Sequence, residues 1–123
     1  MKNLRQVEDL AVQGGFSETQ EARFPGRELE LESLGLSYQV VKAGKRHAFG
    51  HRHAEAEEVY VVLTGTGRCR LDDDIVDIGP LDAIRVGPSV VRAFEAGSGA
   101  LELLVFSRRA PGDAELVPDF WKE

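Results

Sequence analysis

The chain has 123 residues and a mass of 13.5 kDa, which fits one hydrophobic core that buries about two-thirds of the unfolded surface. A net charge of −6 and a pI near 5.1 argue against a nucleic-acid or anionic-membrane partner. No apolar run is long enough for a bilayer helix, the N-terminus has early acids and no apolar h-region of a signal peptide, and the lone Cys69 allows no internal disulfide, so a cytoplasmic location is expected.

Residues 1–35 are mixed in character. Val7 to Val12 predicts a short helix or a strand end, broken at Gly14-Gly15. Pro25 and the R-E-L-E-L-E-S-L segment behind it predict a helix of two turns, stopped by Gly35. Beyond Gly35 the texture changes to short apolar runs separated by turn residues. Leu36 to Ala43 reads as a strand ending at Gly44, and Glu58 to Leu63 as a β-branched strand ended by G-T-G. Arg68 to Leu71 and Ile75 to Ile78 flank D-D-D, a hairpin signal. Asp82 to Val86 and Arg92 to Ala96 flank G-P-S, and Leu101 to Phe106 closes the series. Strands this short and this evenly punctuated specify an all-β sandwich or barrel. The tail from Pro111 reads as extended, with Phe120 and Trp121 packing on the barrel or on a partner subunit. The expected division is an N-terminal segment 1–35, a barrel 36–107 and a tail 108–123, forming one domain overall.

The densest chemistry lies in H-R-H-A-E-A-E-E-V-Y, starting at His51. Alternate residues of a strand share a face, so His51 and His53 present two imidazoles side by side. Glu58 opens the following strand and can bring a carboxylate to them. Two neutral imidazoles and a carboxylate suit Fe, Mn, Ni, Zn or Cu.

This string resembles the first motif of the cupin family, G-x5-H-x-H-x3-4-E-x6-G. Gly44 stands for the first glycine with one extra intervening residue, His51 and His53 match H-x-H, and the step from Glu58 to Gly65 matches E-x6-G. Glu57 fits a shorter spacing but misplaces the glycine, which makes it the second choice. The resemblance implies a jelly-roll barrel over roughly residues 36–107, a metal held by His51, His53 and Glu58, and a ligand inside the barrel. In the second motif, G-x5-P-x-G-x2-H-x3-N, Leu81, Gly87, Ser89 and Ala96 replace the expected residues. Arg92 falls where the family places a fourth, histidine ligand.

That substitution bears on the metal. A guanidinium keeps its charge and does not ligate metals; at ~6 Å from a divalent ion, with an effective dielectric near 20, the repulsion is on the order of 5 kcal/mol. Three arrangements are open. Arg92 points away and leaves a three-ligand site of the facial-triad kind; or it pairs with Glu58 and no metal binds; or it stands beside the metal and clamps a substrate carboxylate. Two further residues are candidates for ligand contact. Tyr60 shares the inward parity of Glu58 and Val62, and would either bond a ligand or sit as a satisfied core tyrosine. His47 would reach the site or, as the commoner case, lie exposed in a loop.

Other polar features carry plainer readings. Cys69 is core filler, Asp72-Asp73-Asp74 a solvated turn and not a calcium loop, Glu55 and Glu57 solvent-facing, and Phe94 and Phe106 core or pocket wall. Two function classes follow. One is a metal-dependent enzyme, for which the resemblance implies dioxygenase, isomerase or decarboxylase chemistry. The other is a metal-free barrel that binds or senses a small molecule. A homodimer is expected, because exposed sheet edges need cover.

Overall fold

The N-terminal sequence is too short of apolar periodicity for a long helix, and the computed structural model, which describes residues 1–121, shows only a 3-10 turn at Leu4–Gln6 and one short helix, α1 (Leu10–Gly14). Asp9 caps α1, its Oδ1 accepting from the Ala11 N–H at 3.0 Å. Gly15, at φ 83, ends the helix in the left-handed conformation that glycine adopts without strain.

Ten strands follow: β1 (Gln20–Arg23), β2 (Leu34–Val41), β3 (Phe49–His53), β4 (Glu58–Thr64), β5 (Gly67–Leu71), β6 (Asp74–Ile78), β7 (Ala83–Val86), β8 (Arg92–Ala96), β9 (Leu101–Arg108) and β10 (Ala114–Pro118). They form two five-stranded antiparallel sheets, ordered β1-β2-β9-β4-β7 and β10-β3-β8-β5-β6. The all-β barrel expected from the spacing of strands and turns is therefore present. In the β5–β6 hairpin Leu71 pairs with Asp74, and Asp72 takes the positive φ of 51 that a two-residue loop demands.

The helix expected from Pro25 to Gly35 is absent. A single turn forms, with Leu29 N–H on Pro25 O and Leu31 N–H on Gly26 O, each 2.9 Å, and Glu30 then leaves it at φ 52. The apolar residues explain this: Leu29 and Leu31 stand two apart, on opposite sides of a helix, and offer no stripe to bury. Strand β1, which no alternation announced, occupies the preceding segment and pairs along β2.

Inward-facing residues of β4, β5, β8 and β9 meet in a packed core that includes Val62, Cys69, Phe94, Leu101, Leu103 and Val105. Phe106 is not among them. Leu101, Leu103 and Val105 take the inner parity of β9, so Phe106 points outward and is 44% exposed; of its two expected places, core or pocket wall, it takes the second, lining an outer groove with Leu34 and Val59. The tail returns to its own barrel. β10 pairs along β3, and the Phe120 ring lies so close to Gly50 that a Cβ there would stand 2.7 Å from it. Trp121 is buried, with the guanidinium groups of Arg46 and Arg68 at 5.4 and 5.8 Å from its ring. The last two positions of the expected tail, 122 and 123, lie outside the described residues.

Candidate metal centre

Strand parity builds the site. On β3 the odd positions turn inward and carry His51 and His53; on β4 the even positions do so and carry Glu58, Tyr60 and Val62. Because β3 and β4 belong to different sheets, the histidines and the carboxylate approach each other across the interior. One ligand atom from each of His51, His53 and Glu58 lies within 4.8 Å of the others. His51 Nε2 is 3.4 Å from Glu58 Oε1, and His53 Nε2 is 3.4 Å from Glu58 Oε2. The two rings stand nearly perpendicular, 5.3 Å apart. Glu58 is the carboxylate of the site; Glu57 is exposed and pairs with Arg85 at 2.8 Å.

Both ring nitrogens of His53 are buried without a hydrogen-bond partner. Glu58 at 3.4 Å and Asp113 Oδ2, 3.4 Å from Nδ1, are close to them but misaligned for a hydrogen bond. A buried imidazole nitrogen left in this state costs free energy, and a cation between Nε2 and the other two ligands would relieve it. Burial lowers the His53 pKa despite the neighbouring Glu58, and so keeps the ring in the neutral form that metals require. Burial works against ionising Glu58 as well, but hydrogen bonds from His51 and Tyr60 and the histidine charges overcome it and bring the carboxyl to about 2. Two imidazoles, that of His53 held neutral, and an ionised carboxylate make a donor set that fits a divalent transition metal.

Asp113 has no forerunner in the sequence reading. It stands just before β10 and supports the site from behind: besides facing His53, it accepts from the Ala56 N–H at 3.0 Å and the Glu55 N–H at 3.2 Å, which ties down the loop between β3 and β4. A lone aspartate in a tail carries no spacing signal, and only the pairing of β10 with β3 brings it to the centre.

Arg92 stands opposite His51 in the β3–β8 pair, so the register drawn from the second motif places it beside the centre. It is completely buried. Its Nη1 donates to Val90 O at 2.9 Å and His51 O at 3.3 Å, its Nη2 to Gly87 O at 3.4 Å, and its Nε lies 3.6 Å from Glu58 Oε1. Of the three arrangements open to it, the structure shows pairing with Glu58. Its Nη1 and Nη2 are engaged by backbone carbonyls, its Nε has no hydrogen-bond partner, and it does not line the cavity, so it is not placed to clamp a substrate carboxylate there. Tyr60 is equally sealed and donates to Glu58 Oε1 at 2.7 Å; it holds the carboxylate and does not face a ligand.

His47 departs from the exposed-loop expectation. It is 9% exposed, its N–H donates to Phe94 O at 2.9 Å, and its Nδ1 accepts from the Phe94 N–H at 3.1 Å. This reciprocal bond extends sheet pairing past the end of β3 and fixes the proton on Nε2. Burial, with the His51 charge adding, brings its pKa down to about 3, so it is a neutral donor and not a base. It does not join the three-ligand cluster.

A cavity of about 310 Å³ opens over the centre. His47, His51, His53 and Glu58 form its polar floor, while Leu10, Phe16, Phe49 and Leu116 supply apolar wall. No lysine or arginine lines it. The residues of α1 and the following turn close its outer side, and Ala114 and Leu116 of the tail its flank.

Two sheets closed around a polar centre of this kind define a double-stranded β-helix protein with a two-histidine, one-carboxylate site. Comparison with solved structures agrees. A cupin protein from Bacteroides fragilis is 25% identical over 74% of this chain and 78% of its own, with a TM-score of 0.68. A sugar phosphate isomerase of the cupin superfamily from Silicibacter pomeroyi is 16% identical over 82% and 77%, with a TM-score of 0.66. A Streptomyces nucleoside dehydratase solved with uridine is 16% identical over 95% and 89%, with a TM-score of 0.74. No protein-family model matches the chain, and no curated protein matches it by sequence. The chain has the double-stranded β-helix fold of the small cupin-superfamily proteins it resembles.

Proposed function

We propose that this protein is a metal-dependent enzyme acting on a small molecule with a largely apolar body. His51, His53 and Glu58 hold a divalent transition metal on one side, and the cavity presents the substrate to the other. The single observation that carries this reading is the buried, unpartnered Nε2 of His53 facing Glu58 and His51. A bound metal would supply a Lewis acid or an oxygen-activating centre with positions left for substrate. The chain's own residues do the rest: Tyr60 and Arg92 fix the Glu58 carboxylate, Asp113 backs His53, His47 offers one N–H to the ligand, and the apolar wall excludes water.

The same residues bear on the reaction type. The titratable groups in the main cavity are the three ligands and His47, whose pKa near 3 disqualifies it as a base at neutral pH. With the ligands engaged there is no free base for proton-shuffling isomerisation, which favours oxygenase or Lewis-acid chemistry. A second reading, a metal-free binding barrel, rests on Arg92, whose Nε lies 3.6 Å from Glu58 Oε1 and already neutralises the carboxylate.

Elemental analysis of protein purified without a metal-affinity tag separates the two. The enzyme reading expects stoichiometric metal that vanishes in a His51→Ala/His53→Ala double variant whose far-ultraviolet spectrum is unchanged. Protein that stays metal-free after incubation with Fe, Mn, Ni and Zn defeats it.

A further inference from the structure

Arginines in this chain come paired. Of the eleven in the sequence, nine have a carboxylate within 4.0 Å: Arg5, Arg23, Arg46, Arg52, Arg68, Arg70, Arg85, Arg92 and Arg108. Among the described residues only Arg27 and Arg109 have none. Both are exposed and line one chamber of about 370 Å³ that adjoins the apolar cavity, sharing Phe24 and Ser37 with it, and whose inner end is formed by His53 and Glu58, which line both. In a protein with six more acids than bases, two unpaired guanidinium groups at one mouth are a cationic site without its anion.

The strands set the distance between this mouth and the centre. Ser107 of β9 pairs with Glu58 of β4, and Arg109 follows Ser107 by two residues on the same parity. Its N–H donates to Ser33 O at 2.8 Å, so the extended pairing continues to that point. At a rise near 3.4 Å per residue, the Arg109 backbone stands about 7 Å beyond the Glu58 pair. Gly26 has no side chain where the Arg109 Nη1 passes, 3.7 Å from its ideal Cβ, and Arg27 is the next residue. Nη1 donates to Leu31 O at 2.8 Å, which anchors the guanidinium beside the chamber.

We infer that this chamber takes the anionic end of the ligand, a terminal carboxylate or phosphate held by Arg27 and Arg109, while the remainder runs past Ser107 and Val105 to His53 and Glu58. Guanidinium groups recognise both oxyanions through paired N–H donors. The ligand class that follows is a small molecule with one anionic end and a second functional group that reaches the metal centre. This rests on the proposed metal reading for its inner end only; the anion contact stands on the arginines.

The test is calorimetric titration of the metal-loaded and metal-stripped protein with hexanoate, hexyl phosphate and hexan-1-ol, each to about 10 mM. At least one anion is expected to bind about tenfold or more tightly than the alcohol, and which one distinguishes carboxylate from phosphate ligands. Arg27→Gln/Arg109→Gln should lose about tenfold in anion affinity with metal stoichiometry unchanged. Arg27→Gln alone, which removes no hydrogen bond seen in the structure, gives the same direction if the double variant fails to fold. Anions that bind no better than the alcohol, or variants that bind them as the parent does, overturn the inference. Anion binding lost in the variants of a protein that never takes up metal would leave the chamber standing and defeat the metal reading alone.

Discussion

Arg92 decides how tightly the centre holds a cation. Its guanidinium sits beside Glu58 and opposite His51, a fixed positive charge next to where a second one belongs. Replacing it by histidine removes the repulsion and offers a third imidazole as fourth ligand. Arg92→His is expected to bind Zn or Ni at least about tenfold more tightly than the parent, since even a fraction of a repulsion of several kcal/mol exceeds one decade. The same change strips donors from Val90 O and His51 O, so it should also melt earlier, each lost buried partner costing about 1–3 kcal/mol. Competition with a chromophoric chelator reads the affinity, and unchanged binding would show that the arginine charge is not felt at the centre. His47 makes a separate prediction about acid. Its pKa is about 3 in the folded protein, depressed by burial and by His51, against an ordinary value near 6.5. A histidine depressed on folding is protonated first in the unfolded chain, so its contribution is complete above about pH 6.5 and drains away as pH falls toward 3. By pH 5 the loss is about 2 kcal/mol. In His47→Asn the amide oxygen can still accept from the Phe94 N–H, and that acid dependence should disappear. Urea unfolding of both metal-stripped proteins at pH 7.5 and pH 5 measures it; parallel losses would place the acid sensitivity elsewhere.

At the scale of elements, the site depends on one contact that spans the chain. Asp113, at the head of β10, fastens the β3–β4 loop through the Ala56 and Glu55 N–H groups and stands behind His53. Asp113→Ala is expected to cost about 1–3 kcal/mol from the released N–H groups and to weaken metal binding by about 10–100-fold, as loss of an outer-shell partner does. Thermal melting reads the first, chelator competition the second. Metal affinity that holds while stability falls would confine Asp113 to the loop. That contact also marks where sequence reading stops. Strand periodicity identified β2 and β4 through β9, because each has an apolar inner face and a turn residue beyond it. H-x-H and the following carboxylate identified the ligands, since a strand allows those side chains only one face. β1 and β10 were not legible as strands: Gln20–Arg23 alternates weakly, and Ala114–Pro118 shows only extended character until β3 supplies its partner. The burial of His47 is not legible, because nothing in a sequence shows that its ring will pair with the backbone of Phe94. The roles of Arg92 and Asp113 are tertiary facts in the same sense, since the number of donors a guanidinium has left depends on which carbonyls surround it.

The whole molecule leaves one face unexplained by its own packing. On the outside of the β1-β2-β9-β4-β7 sheet, Phe106 pairs with both Leu36 and Val59, so three apolar side chains lie in a row across adjacent strands. Leu34 is 66% exposed and Phe106 44%, at the end of the sheet where Arg85–Glu57 and Arg108–Glu55 ion pairs form a charged border. An apolar row with a polar rim has the composition of a contact surface. An antiparallel sheet face that exposes such a row suits an isologous contact, because a two-fold axis through the row lays each side chain on the same row of a second copy. We therefore expect a C2 dimer, with both metal centres facing away from the shared sheet. Light scattering coupled to size exclusion should give about twice the 13.5 kDa chain mass. Phe106→Glu would place two like charges near the axis and should halve that mass, while leaving the strand signal and metal content untouched because the side chain does not reach the interior. A parent protein that elutes at the mass of one chain would show that the row is simply solvated, and that the barrel works alone.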